Sequence, residues 1–423
     1  MVEYWKKAVI TLGLGCMNDG LDWGWLNTWV TVIREEIPFG PAEVGWILSL
    51  PGYFSILYLL GAGPLVDRWG RKRFLVIGNL ITGLTWIAII FSTVWWHLAL
   101  CRLFAFIGTV FTITTSFTTI AEEAPPDKRQ TISSLMGAFQ IGGMILGSFL
   151  FSLAAIGLTW KMYAAFLVIF NFVIVALMQF VIREPPIWVE RRKLMLQKEK
   201  EGVKTEIKEE ISYKSLIKST GIKLIPLIII GISYSASSII TATGQFGAWY
   251  LRTVLKFGPG IMGLMGMVGP FFYILIRFIS GHVSDRIGRL NTLILFNIIG
   301  LIFNQLMWRT HLFVGVGEIL PVIAFYYVTN WMAYFQGWGV EDAGRLPLLE
   351  NVPTSARATA ENLKEAIKQI LVSLELTAAG YMAVALAPEI AYATFPVIGS
   401  IIGLSAVFAA KKMGLESKGK RLA

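Results

Sequence analysis

Histidine and cysteine are nearly missing from these 423 residues: His97, His282 and His311 on one side, Cys16 and Cys101 on the other. Three imidazoles, far apart and each near the end of an apolar stretch, argue against a metal cluster or a Ser-His-Asp triad. No Walker-type glycine loop is present, so ATP hydrolysis is not the expected energy source, and neither cofactor nor metal is expected. Both cysteines fall inside apolar runs, which argues against a disulfide framework. Charge is sparse as well, at 15% of residues against 55% hydrophobic. That balance, with a mean hydropathy of +0.63, is too apolar for a soluble chain of this length and indicates a polytopic membrane protein. Acids are the scarcer sign, giving a formal charge of +10. The bases sit in short segments between apolar runs and not on an aromatic-interleaved surface, so topology explains them and nucleic acid is not an expected partner.

What the chain has in abundance is long apolar runs. Twelve are long enough to cross a bilayer, near 8–33, 44–66, 74–94, 97–119, 131–155, 162–182, 222–250, 261–281, 291–308, 312–337, 358–386 and 389–410. The N-terminus carries no short apolar stretch with a small-residue cleavage site, so the first run is expected to be retained. An even number puts both termini on one side. Assigning that side to the cytoplasm places Lys6, Lys7, Arg68, Arg71, Lys72, Arg73, Lys128, Arg129, Arg286, Arg289, Arg345 and Arg357 inside, as the positive-inside rule requires. A multi-pass protein of the plasma membrane is therefore expected, with the bilayer as its surroundings.

Two carboxylates interrupt the first run. Entered near Lys7, a helix rising about 1.5 Å per residue carries Asp19 and Asp22 roughly 18–22 Å in, near the middle of a core about 30 Å thick. Three residues apart, they share one helix face. Charge at that depth is costly and marks an ion or substrate path, although buried charges also occur as fixed structural pairs. Arg102, in the fourth run and roughly 8 Å from its outer end, is the only base well inside the first six.

The stretch Arg183–Lys223 is the one long polar interruption, and it separates six runs from six. Short motifs repeat across it. Gly63-Pro-Leu-Val-Asp67-Arg68-Trp-Gly70-Arg71 follows the second run and Gly281-His-Val-Ser-Asp285-Arg286-Ile-Gly288-Arg289 the eighth. Glu123-Ala-Pro125 through Arg129 follows the fourth, and Glu350-Asn-Val-Pro353 through Arg357 the tenth, with equal Pro-to-Arg spacing. The expected organisation is a bundle over 1–182, a cytoplasmic linker over 183–221, a second bundle over 222–410 and a tail over 411–423, an arrangement common among secondary transporters.

At these residues the chain resembles the major facilitator superfamily over nearly its whole length. The resemblance implies an all-α membrane fold of twelve helices in two pseudo-symmetric six-helix bundles, a monomer that transports by alternating access and is not an enzyme. It makes the motif residues Gly63, Asp67, Arg68, Gly70, Arg71, Glu123, Arg129, Asp285, Arg286, Gly288, Arg289, Glu350 and Arg357 conformational gating elements. Asp67 would lie near the inner end of helix eleven, and Arg71 would link helices two and three. Asp19-Gly-Leu-Asp22 looks like the first-helix sequence of proton symporters for aromatic acids and related metabolites, while Gln140 and Arg183-Glu-Pro-Pro-Ile-Trp188 look like the sugar-porter and metabolite-symporter branch. The resemblance pairs Arg102 with Asp22, leaving Asp19 as a second proton site or a gate for the first. A substrate between the halves would meet Asn18, Trp23 and Gln140 from one side and Gln245, Tyr326, Asn330 and Trp331 from the other. The expected function is proton-coupled uptake of a small organic acid. A sugar or polyol symporter, a non-transporting nutrient sensor and an organic-cation carrier are the alternatives. The absence of paired glutamines in Ser233–Gln245 speaks against a sugar, and Arg102 speaks for an anion.

Overall fold

The structure, a computed structural model, describes residues 4–55, 57–58, 65–66, 69–123, 129–186, 188–190, 193, 232, 244–340 and 357–415. Among these there is no strand. The helices are α1 Tyr4–Ile33, α2 Pro41–Tyr53, α3 Arg71–Ile90, α4 Trp95–Glu123, α5 Arg129–Ser152 and α6 Trp160–Val181. The second set is α7 Gly247–Thr253, α8 Pro259–Ile287, α9 Arg289–Met307, α10 Leu320–Tyr334, α11 Arg357–Ala385 and α12 Pro388–Lys412. Eight stretches of these are long and apolar enough to cross a membrane. The expected runs recur within a few residues, with four differences. Run two, expected to reach 66, is a helix over Pro41–Tyr53, and most of its remainder lies outside the described residues. Of run seven the structure describes little before Gly244; run eight is extended by six residues, to Ile287. Run ten begins at Leu320 and not at 312, because Gly315 and Gly317 adopt φ of +97° and +102° and break the chain after the short turn Thr310–Phe313.

Helix starts follow local chemistry. Pro41 and Pro259 occupy first-turn positions where no N–H is needed. Gly40 N–H is taken by the Glu43 carboxylate at 2.8 Å, and Thr159 Oγ1 accepts from Met162 N–H at 3.2 Å. The internal repeat is visible in the backbone. Gly70 before α3 has φ +105°, ψ 153°, and Gly288 before α9 has φ +97°, ψ 157°. Only glycine is at ease in that conformation, which explains why the repeated motif carries it twice.

The first six helices pack among themselves, α1 against α4, α5 and α6, and α3 between α4 and α6; in the second set α9 contacts α8, α10 and α12. Glycine sets the closest approach. A Cβ added to Gly20 of α1 would stand 2.0 Å from the Gln140 carbonyl oxygen of α5, and one on Gly143 of α5 would stand 2.0 Å from that of Met17. Gly143→Val is expected to lower the unfolding temperature of the purified protein, since overpacking at such a contact costs about 1–3 kcal/mol; differential scanning fluorimetry measures it.

We term the face where α1 begins the near face and the one where it ends the far face. Two seams join the halves at the far face. In the first, Gly45 and Gly52 of α2 lie against α11, where Ser49 Oγ meets Thr377 Oγ1 at 2.8 Å and Ser373 Oγ donates to the Ser49 carbonyl at 2.8 Å. In the second, Gly263 and Gly266 of α8 lie against Ser152 and Ser148 of α5. Beside them Arg252 of α7 bridges Glu35 at 3.1 Å, and the Arg34 guanidinium lies 4.5 Å over the Trp249 ring. The far face is closed.

Candidate functional site

Asp19, Asp22 and Arg102 are each buried, at 3, 3 and 5% exposure, in the middle of the first bundle. Arg102, seven residues into α4, donates through Nη1 to Asp22 Oδ2 at 2.5 Å. Gln140 of α5 donates through Nε2 to Asp19 Oδ2 at 2.5 Å, and Asp19 Oδ1 has no hydrogen-bond partner. The close approach of α1 and α5 at Gly20 and Gly143 makes this possible, since a bulkier pair would hold Gln140 away. The two carboxylates, a single turn apart, thus meet different partners: a full cation for one and a neutral amide for the other.

Asn18 lies elsewhere. Its amide exchanges two hydrogen bonds with Asn171 of α6, at 2.9 and 3.0 Å, so it ties α1 to α6 and faces away from the second bundle. Trp23 is half-buried. Tyr163 of α6 completes the surroundings by donating to the Leu21 carbonyl at 3.1 Å.

In the second bundle Gln245 stands half-buried in the turn Gly244–Phe246 that leads into α7. Tyr326 is buried in an aromatic cluster, its ring 6.2 Å from Tyr250 and 5.3 Å from Tyr327. Trp331 stacks on Phe272 at 3.6 Å with its indole N–H buried and unpartnered. Asn330 donates to Tyr334 Oη at 3.3 Å. These two last residues line a cavity of about 30 Å³ with Gly244, Asn304, Met307, Ala333 and Gly337, room for about one small polar group. Asn304 Oδ1 accepts no hydrogen bond there. Asn304 and Tyr334 were not among the expected residues; Asn304 is one of several amides in run nine, with Asn291, Asn297 and Gln305, and nothing in the sequence singles it out. Below the cavity α10 widens into a π turn over Phe335–Gly339, where Gln336 donates to Ser400 Oγ.

Of the expected gating residues, Gly63, Asp67, Arg68 and Glu350 lie outside the described residues, as do the side chains of Arg129 and Arg357. Glu123 pairs with Arg183 at 3.2 Å. Arg71 is buried, and its N–H and that of Lys72 are capped by Glu184 at 2.8 and 3.2 Å. Arg289 donates to Asp285 at 2.5 Å and to Ser284 at 3.1 Å; Arg286 is exposed. Glu184 escaped the sequence reading, in which Arg183–Lys223 was a solvated linker. Glu318, in the loop that precedes α10, caps Gly258 before α8.

Twelve helices in two similar sets, with charge buried at mid-helix and glycine seams between the sets, define a polytopic membrane carrier fold. The chain belongs to the Major Facilitator Superfamily, whose family profile matches residues 12–340. It is 29% identical over 133 residues to a D-xylose transporter of Levilactobacillus brevis, covering 31% of this chain and 29% of that one. It is 31% identical over 129 residues to the niacin transporter NiaP of Acinetobacter baylyi, covering 30% and 29%. Each match thus spans less than a third of the relative. Among solved structures it superposes on the inward-open xylose transporter XylE from E. coli with a TM-score of 0.71, at 17% identity and covering 98% and 97% of the two chains. The superfamily is one of membrane transporters and not of enzymes.

Proposed function

We propose that this chain is a proton-coupled symporter that takes up a small organic acid or related metabolite. It works as a monomer in the plasma membrane, with the near face and both termini on the cytoplasmic side. The halves 1–182 and 222–410, linked by 183–221, rock about a central site, and the far-face seams alternate with contacts made by the gating residues Gly63 to Arg71, Glu123, Arg129, Asp285 to Arg289, Glu350 and Arg357. One observation carries the reading: Asp22 is held by Arg102 at 2.5 Å while Asp19, a turn away, faces only Gln140. A proton taken up on Asp19 weakens no ion pair. One taken up on Asp22 releases Arg102, which then becomes a buried cation able to receive an anionic substrate. Niacin, carried by one relative, bears a single carboxylate and fits that logic.

A second reading has its own support. The described lining of the cavity in the second bundle is uncharged, with Asn304, Asn330 and Tyr334 suited to hydroxyls, and another relative carries D-xylose. Proteoliposomes with an imposed pH gradient separate the two. Labelled aromatic monocarboxylate is expected to accumulate and to stop when the gradient is collapsed by a protonophore. Accumulation of labelled pentose or hexose instead would move the assignment to a sugar symporter, and uptake of neither would refute both.

A further inference from the structure

The second bundle holds a polar side chain that its own neighbours leave unused. Asn304, three residues before the end of α9, is 3% exposed, yet its side-chain oxygen accepts no hydrogen bond. A buried acceptor without a donor is a standing cost to the fold, and a ligand group that donates to it removes that cost. Asn79 of α3 has an unmet oxygen too, but its amide N–H is spent on Leu75 and Thr112 inside the first bundle. Asn304 faces a cavity.

That cavity, of about 30 Å³, lies between Asn304, Asn330 and Tyr334 of α10, Gly337 of the π turn, and Gly244. Counted from Leu320, Asn330 and Tyr334 stand about 15 and 21 Å along α10, in the middle of a core about 30 Å thick. Gly244 is exposed, and a Cβ added there would meet nothing within 4 Å, so the cavity opens on that side. Tyr334 Oη accepts from Asn330 at 3.3 Å, which leaves the phenol's own proton to be given.

The described lining carries no charge. A carboxylate or an ammonium seated there would be a buried ion with no counter-ion among those residues, and an apolar group would leave Asn304 unmet. A hydroxyl answers both demands with one oxygen: it donates to Asn304 Oδ1 and accepts from the Tyr334 O–H. Water can do the same, and a ligand displaces ordered water without loss only where it reproduces the water's bonds. A hydroxyl does so; a hydrogen or a methyl group in its place does not.

We propose that this cavity is a hydroxyl subsite with Asn304 as its specificity-determining residue, so that the transported acid carries a hydroxyl as well as its carboxylate. The carboxylate goes to Arg102 in the first half and the hydroxyl to Asn304 in the second. The inference rests on the uptake reading above and narrows its substrate class. It also gives α9, from which no substrate residue was expected, a part in recognition.

The test is isothermal titration calorimetry of the full chain in nanodiscs with benzoate, its ortho-, meta- and para-hydroxy derivatives, and D-xylose. In the parent at least one hydroxybenzoate is expected to bind about tenfold or more tightly than benzoate, the effect of meeting or not meeting a buried polar group. Asn304→Leu, close in volume and without polar atoms, should bring that ratio to about one, and Tyr334→Phe should reduce it. Because the oxygen removed from Asn304 has no partner, Asn304→Leu is expected to unfold at or above the parent's temperature, so that a lost ratio is not a lost fold. Equal binding of benzoate and all three derivatives by the parent, or a ratio that survives in both variants, overturns the subsite and leaves the acid reading in place. Binding of D-xylose and of no acid, weakened about tenfold by Asn304→Leu, keeps the subsite and overturns the acid reading. Binding of none of them overturns both.

Discussion

Asp22→Asn is expected to abolish accumulation against a concentration gradient in proteoliposomes, leaving uptake under an imposed pH gradient at the level of protein-free vesicles. The substitution removes the titratable group and strands Arg102 in the interior, and stranding one member of a buried ion pair costs about 3–5 kcal/mol. Loss of transport alone would therefore not distinguish a coupling residue from a structural one. The double variant Asp22→Asn/Arg102→Gln makes the distinction. With no charge left to strand, its thermal stability should return to within about 1 kcal/mol of the parent, yet proton-driven accumulation should stay absent. A double variant that regains both stability and accumulation would show that the pair is a structural tie and that the proton travels elsewhere, with Asp19 the first place to look.

Gly380→Leu should hold the far face open. A Cβ at Gly380 would lie 2.5 Å from the Pro41 carbonyl oxygen, and its neighbours in the seam are as tight: 2.6 Å from Gly45 to the Leu376 oxygen, 2.7 Å from Gly52 to that of Gln369. These atoms are backbone and cannot swing aside. Overpacking of this kind costs about 1–3 kcal/mol, and only the closed arrangement bears it, so the closed-to-open ratio should fall roughly 5- to 150-fold. A thiol placed at Ser49, which is fully buried in the seam, reports the change. Ser49→Cys alone should resist a membrane-impermeant maleimide, and Ser49→Cys/Gly380→Leu should react. Equal protection in both would mean that the seam does not part during the cycle.

The twelve-helix plan was readable because period and length suffice for it: a run of twenty apolar residues has few alternatives, and the repeated Gly-x-x-x-Asp-Arg motif marked the two halves before any contact was known. Scarcity singled out Arg102, the lone base deep in six apolar runs, but its meeting with Asp22 was readable only through the resemblance. Asn18 shows where such reasoning stops. An amide next to two buried carboxylates looks like a ligand, but one residue along a helix turns the side chain by about 100°, enough to face α6 and Asn171. Glu184 and Glu318 stayed hidden for a related reason: capping a helix start distant in sequence leaves no periodic trace. The start of α10 was misplaced because apolar residues on both sides of Gly315 and Gly317 carry the hydropathy straight across a break that only the backbone angles reveal.

The contact between α1 and α5 has a mechanical side. Where Gly20 and Gly143 bring two main chains together, no side chain is left to act as a cushion, and the two rods tilt as one plank. That plank bears Asp19 and its amide partner, and farther along α5 its Ser148 and Ser152 lie against the glycines of α8. The interior carboxylate and the seam with the second half thereby belong to the same rigid body, with no intervening joint between them.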